Sequence, residues 1–394
     1  MNKVFKDLKK LSRDYWLLMC SAGLGSLGWS LYYIVYPLYM KAAGYGGTEL
    51  GILSSINTFL AMIWTFIGGV LTNYMSAKRI FLIFWSLSTF SYLPMAFSTR
   101  FEILLLSSIL SSLGSISMPA YYSYISKIVR RENLDLAYSV EQVMFTAAGA
   151  LGSLLGFIPV WLSETWRISL LESYMRSLLL VYAIGVASLI PVFKIRDLKV
   201  SGGKVPVFKP KGVLGKILLV ELVIGFGAGL SIPLIFYYLS VKYGVESGEL
   251  GVLNFFLSLT LMASTMLNPL FSKRFGTVKT SAFLQASSIP LLVALTISPN
   301  IPAAFIVVVL RNTLMNMANP LVTSAFMKAV KEEERGMAPT YMSLGFQIGE
   351  ALSMPLGGYI MDNIWLDLPF YITAIIYTLY VTLYYTAFKH VDLT

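Results

Sequence analysis

Two charged residues stand where an apolar helix tolerates them least. Arg311 follows the run 301–310, in which every residue is apolar, and Glu350 lies about eleven residues into the apolar stretch 339–363. In a bilayer-spanning helix a charge at the centre costs about 2.5–3.5 kcal/mol, so it is expected to face partners or water rather than lipid. Glu350 is read as a group that takes up and releases a proton. Arg311 is read as a substrate contact or as the residue that tunes Glu350. The alternative is a static ion pair, which would lower the burial cost of both. Glu221 lies about seven residues into its own apolar stretch, roughly 10 Å from one end. It is either a second protonatable group or a side chain that snorkels toward Lys216. Glu141 is nearer the start of its stretch, within reach of Arg130 and Arg131 as an ordinary partner.

Neutral polar residues add a second pattern. Asn312, Asn316 and Asn319 recur at i, i+4 and i+7, which places them on one helical face. Such a stripe hydrogen-bonds a solute or glues two helices together. Gln347 and Glu350 share a face at i, i+3 in the same way. Tyrosines cluster at Tyr32, Tyr33 and Tyr36, at Tyr121 and Tyr122, and at Tyr237 and Tyr238. Each offers a ring for stacking and a hydroxyl for hydrogen bonding, which suits an organic, partly apolar solute better than a bare ion.

Other chemistry is excluded by what the sequence lacks. Cys20 is alone, so neither an intrachain disulfide nor a cysteine metal site can form. His390 is the single histidine and lies beyond the last apolar stretch. That removes a Ser-His-Asp triad, a histidine zinc site and a histidine proton relay. No phosphate-binding G-x-x-x-x-G-K-[ST] loop is present. No metal and no cofactor is expected, and the protein is read as not an enzyme.

The elements that must hold these residues follow from composition. The 394 residues are 56% hydrophobic and only 13% charged, with a net charge of +10 and a mean hydropathy of +0.70. About twice that charge is usual in soluble chains. The pattern predicts an all-α membrane protein with twelve transmembrane helices, near 16–40, 49–74, 79–98, 101–126, 138–163, 173–193, 214–241, 248–272, 279–298, 301–328, 339–363 and 367–388. The basic residues divide unevenly between alternate loops. One set carries 24 of the 30, and the other set and its helix ends carry Lys41, Arg100, Arg167, Arg176 and Lys242. This asymmetry places both termini in the cytoplasm. It also explains the positive charge without nucleic acid, for which no basic soluble domain is left.

The chain repeats itself. Gly44, Glu49, Leu50, Gly51 and Leu53 recur two hundred positions later as Gly244, Glu249, Leu250, Gly251 and Leu253. Pro119, Ser123, Ala150 and Gly156 meet Pro320, Ser324, Ala351 and Gly357 one position further on. A repeat spanning an even number of helices predicts two parallel six-helix pseudo-repeats, an architecture known among transporters. The boundaries read as 1–193, a cytoplasmic linker at 194–213, and 214–394. The linker is basic and contains Ser201, Gly202, Gly203, Pro206 and Pro210.

The loop after the second span runs Gly69-Val-Leu-Thr-Asn-Tyr-Met-Ser-Ala-Lys-Arg79. Here the chain resembles the major facilitator superfamily, whose pattern at this loop is G-x-L-x-D-R-x-G-r-k-r. Gly69, Leu71, Lys78 and Arg79 match it. Asn73 replaces the acid, Tyr74 the arginine and Ser76 the glycine. A degenerate copy, Pro269-Leu-Phe-Ser-Lys-Arg-Phe-Gly276, follows in the second half. The resemblance implies a gating loop at Gly69, Asn73, Lys78 and Arg79, with the acid's share of the lock lost at Asn73. It also implies a central cavity lined by the first, fourth, seventh and tenth helices. The family's fourth-helix R-x-x-x-G is missing, since Leu110 precedes Gly114, and so is the fifth-helix G-x-x-x-G-P-x-x-G-G associated with antiporters.

The expected function is secondary active transport of a small organic solute by alternating access, in the form of proton-coupled efflux of an amphipathic compound. Uptake of a sugar or organic anion is the alternative, favoured by Arg311. A non-transporting receptor or assembly protein is the alternative of another class. The expected substrate contacts are Arg311, Asn312, Asn316, Asn319, Tyr33, Tyr36, Tyr121, Tyr122 and Tyr237, with Glu350 and Glu221 as proton carriers. The protein is expected to act as a monomer in the plasma membrane, with the lipid bilayer, the substrate and protons as its partners.

Overall fold

The computed structural model describes residue 8 and residues 11–199, 211–265, 276–332, 335 and 337–393. Twelve helical segments cover nearly all of them. In chain order these are α1 (Arg13–Ala42), α2 (Gly47–Leu71), α3 (77–95), α4 (Phe101–Ile128), α5 (Arg131–Trp166) and α6 (Leu170–Phe193). Then follow α7 (Gly212–Tyr243), α8 (Ser247–Thr265), α9 (Thr277–Thr296), α10 (Ile301–Ala329), α11 (Ala338–Asn363) and α12 (Leu368–Phe388). Each matches one expected span to within a few residues, except that α5 begins seven residues before the expected 138 and α8 is described seven residues short of the expected 272. Nine of the described helices are long and apolar enough to cross a membrane. Of the other three, α3 is interrupted by a π turn at Phe81–Trp85, and α8 is described only as far as Thr265. The third, α11, is diluted by Thr340, Ser343, Gln347 and Glu350. The protein is an all-α membrane protein of twelve-helix topology. Residues 200–210 of the expected linker, and the degenerate loop copy up to Phe275, lie outside the described residues.

Local chemistry sets the helix ends. The Ser12 hydroxyl accepts the Tyr15 N–H at 3.2 Å, Ser169 accepts that of Glu172 at 3.2 Å, and Asn300 accepts that of Ala303 at 3.0 Å. Each satisfies a donor that the first helical turn leaves open. The repeated glycines Gly44 and Gly244 follow α1 and α7 with φ of +90° and +68°. A side chain at that φ is strained, so the repeat preserves glycine where the chain must turn.

By proximity the residues group into two compact units. One contains Met1–Ala43, Phe59–Val205 and Ser247–Phe255. The other contains Gly44–Thr58, Pro206–Glu246 and Phe256–Thr394. The start of α2 therefore belongs with the later helices and the start of α8 with the earlier ones. These are the segments that carry the repeated Gly-Glu-Leu-Gly-Leu pattern.

Within the first unit, α1 is held to its neighbours by buried hydroxyls. Ser21 donates to the Ser188 carbonyl at 2.6 Å and Ser26 to the Phe145 carbonyl at 2.7 Å. Such bonds replace the water that lipid cannot supply. Within the second unit, α7 and α11 meet along a glycine seam. A Cβ at Gly349 would run into the Leu222 carbonyl, and one at Gly225 into the Phe346 carbonyl. Small residues let the two backbones approach, and dispersion then holds the helices together.

Candidate functional site

One buried charge of the second unit is tied to α12. Arg311 is 6% exposed. Its guanidinium donates to the Tyr377 hydroxyl at 3.2 Å and lies 5.7 Å from the centre of that ring. Among the described residues its Nε has no hydrogen-bond partner. The static ion pair, the alternative reading for Arg311 and Glu350, is not formed among the described residues, and Arg311 turns to Tyr377 of α12 instead. Glu350 is half-buried on α11. Its carboxyl has no ion-pair or hydrogen-bond partner among the described residues.

Glu221 of α7 is buried at 8% exposure. It pairs with no cation among the described residues, so it does not snorkel to Lys216. Tyr380 lies one turn beyond Tyr377 on α12. Tyr380 accepts from Gln285 of α9 at 3.0 Å and stacks on Tyr384 at 6.0 Å, and Tyr384 shares a 2.8 Å hydrogen bond with Ser281. A ladder of tyrosine hydroxyls therefore runs along α12, bonded to a guanidinium, an amide and a serine hydroxyl. Sequence reasoning missed this ladder. Its signal is the spacing of Tyr377, Tyr380 and Tyr384 at i, i+3 and i+7, which puts three hydroxyls on one face of an otherwise apolar helix.

The asparagine stripe is present, and it is bonded largely to itself. Asn316 donates to the Asn312 side-chain oxygen at 2.8 Å, and Asn319 to the Asn316 oxygen at 3.2 Å. Asn319 is exposed at the end of this chain of amides. Tyr237 of α7 donates to Asp362 of α11 at 2.9 Å, an acid that sequence reasoning did not single out. Asp362 also accepts the N–H groups of Gly47 and Thr48 at the start of α2, at 2.9 Å and 2.7 Å, and the Thr48 hydroxyl at 2.6 Å. A carboxylate at a helix N-terminus satisfies open donors and meets the positive end of the helix dipole.

The tyrosines of the first unit form two groups. Tyr36 stacks on Tyr32 at 4.9 Å, Tyr32 meets Tyr92 at 4.9 Å, and the neighbouring Tyr33 is exposed. Tyr121 and Tyr122 belong to the second group, with Glu141 of α5. The Tyr121 hydroxyl donates to Glu141 at 3.3 Å. Arg130, expected as a partner for Glu141, lies 3.9 Å from Glu132 instead.

The loop after α2 is tied to the end of α6. The Lys78 ammonium donates to the carbonyls of Phe193 and Ile195 at 2.6 Å and 3.0 Å. Arg79 lies 3.8 Å from Asp197, and Ser76 pairs through its backbone with Lys199. Asn73 is exposed, and a Cβ at Gly69 would meet nothing within 4 Å.

Twelve helices with buried charges at mid-span define a polytopic membrane protein built around internal polar groups. The sequence profile of the Major Facilitator Superfamily matches residues 18–213 and 217–391. The chain belongs to that superfamily, a family of transporters rather than enzymes. No curated protein matches the sequence. Solved structures share the fold at low identity. A bacterial homologue of the human lysosomal transporter Spinster superposes with a TM-score of 0.75 at 15% identity, over 96% of this chain and 97% of that one. The nucleoside transporter NupG gives 0.76 at 13% identity, over 96% and 100%. The xylose transporter XylE from E. coli gives 0.72 at 13%, over 94% and 95%.

Proposed function

We propose that the protein is a secondary active transporter that exports an amphipathic organic solute by alternating access, driven by protons. The observation that carries this reading is Glu350. Its carboxyl lies midway along α11 with no cation in ion-pair distance among the described residues. A buried carboxyl without a counter-charge costs least as the neutral acid. Exposure to water on one face and then the other turns such a group into a proton carrier. Glu221 is assigned the supporting proton role.

Substrate contact is assigned to Arg311, Asn312, Asn316, Asn319, Tyr33, Tyr36, Tyr121, Tyr122 and Tyr237. Among these, the exposed members Asn319, Tyr33 and Tyr122 are the most accessible to a solute. Residues 1–193 and 214–394 are proposed as the moving halves, joined by 194–213. Both termini are assigned to the cytoplasm, in the plasma membrane of a protein that acts as a monomer.

The test is a stabilisation screen of the purified protein with amphipathic drugs, sugars and organic acids at acidic and alkaline pH. The expected result is stabilisation by amphipathic compounds, with proton release on binding that Glu350→Gln removes. Stabilisation by sugars alone, indifferent to pH, would overturn the reading.

A further inference from the structure

The first unit holds a carboxylate that proton transfer through Glu350 leaves without a task. Glu141 lies about 10 Å into its helix, counted from Leu134, and is half-buried. Tyr121 donates to it at 3.3 Å. The Tyr121 and Tyr122 rings stand nearly perpendicular, at 82° with centres 5.4 Å apart. The Tyr122 and Tyr138 rings follow at 50° and 6.2 Å. Tyr138 lies one turn before Glu141 on the same helix.

One side of this corner is closed. Tyr15 is fully buried, with its hydroxyl committed to the Ala137 carbonyl at 2.6 Å. The other side is open, since Tyr122 is 46% exposed and Tyr138 half-buried. Arg130, the nearby cation that sequence reasoning offered, is placed with Glu132 instead. Among the described residues no cationic side chain pairs with Glu141. The result is a carboxylate bonded to the first of three tyrosines in ring-to-ring contact, with no cation in ion-pair distance among the described residues.

We propose that Glu141, Tyr121, Tyr122 and Tyr138 form a binding site for an organic cation, an amine or onium group on an apolar body. Ring faces attract cations, most strongly where water is thin. The carboxylate supplies the opposite charge and discriminates against neutral and anionic solutes. A hard metal ion is a poor occupant, because it takes six or more oxygen ligands and this corner offers one carboxylate. The use made of the bound cation rests on the transport reading above, whereas its binding does not.

The test is equilibrium binding of tritiated tetraphenylphosphonium to the full chain in nanodiscs, with empty nanodiscs as background. Saturable binding is expected, uncompeted by the anion tetraphenylborate. Glu141→Gln keeps an acceptor for Tyr121 and is expected to weaken binding about tenfold or more. Tyr122→Leu, at an exposed position, is expected to weaken it several-fold, and serves if the glutamine variant does not fold. Glu164→Gln, an exposed acid elsewhere in the unit, should bind as wild type. Binding no greater than to empty nanodiscs, or undiminished in folded Glu141→Gln and Tyr122→Leu, would overturn the site. Saturable, Glu141-dependent binding without flux supports the site and removes only the transport reading. Flux of a neutral or anionic solute without cation binding overturns the site and leaves the transport reading standing.

Discussion

Asp362, one residue before the end of α11, accepts the Gly47 N–H at 2.9 Å, and so holds the first turn of α2 to a helix more than three hundred residues away in sequence. Thr48 and Tyr237 complete the grip on the same carboxylate. Three helices, α2, α7 and α11, therefore depend on one acid. Removing the acid leaves two backbone donors of a helix N-terminus and two hydroxyls to find water instead. Asp362→Ala is expected to cost about 1–3 kcal/mol, allowing for the partial exposure of the cluster. Asp362→Asn, which keeps an acceptor, should cost less. The midpoint of thermal unfolding in detergent checks both.

The glycine seam between α7 and α11 makes a second expectation. A Cβ at Gly349 would meet the Leu222 carbonyl and lie 2.6 Å from the Phe226 nitrogen. These are backbone atoms within helices and cannot turn aside as a side chain can. Gly349→Leu is expected to lower the yield of folded protein sharply, through overpacking worth at least about 1–3 kcal/mol. Gly25→Ala, with nothing within 4 Å of the added Cβ, should be neutral. Size-exclusion profiles of the two variants check the contrast.

Arg311 and Tyr377 should behave as one unit. Tyr377→Phe removes the hydroxyl that accepts from a buried guanidinium, and Arg311→Met removes the donor to a buried hydroxyl. Either change alone strands a polar group, and both together strand neither. A double-mutant cycle on stability is expected to give a coupling of about 1 kcal/mol or more. Strict additivity would separate the two residues.

Lys78 gives a test at the loop after α2. Its ammonium donates to the Phe193 carbonyl at the end of α6 and the Ile195 carbonyl just beyond it, where a cation also meets the negative end of the helix dipole. Lys78→Ala is expected to loosen residues 194–199 and speed their cleavage by trypsin under native conditions, with the rest of the pattern unchanged.

All twelve helices were legible in the sequence, because apolar length survives any rotation of a helix about its axis. The partners of the buried charges were not. Spacing placed Arg311 and Glu350 at similar depth, yet depth does not say which way a side chain points. Arg311 turns to Tyr377 of α12 rather than to Glu350. The same limit hid Asp362. Read as the polar end of an apolar span, it drew no notice, since its donors come from the start of α2 and from α7. The repeated Gly-Glu-Leu-Gly-Leu pattern was visible from the start. That it marks the segments grouped with the opposite half's helices required coordinates.

The most direct test of the central claim is accumulation in proteoliposomes under an imposed pH gradient, using the compound that stabilises the purified protein, in wild type and in Glu350→Gln. The expected result is gradient-driven accumulation by wild type. Glu350→Gln should show none, yet still exchange labelled for unlabelled compound. Accumulation by Glu350→Gln equal to wild type, or wild-type flux indifferent to the gradient, would contradict the account.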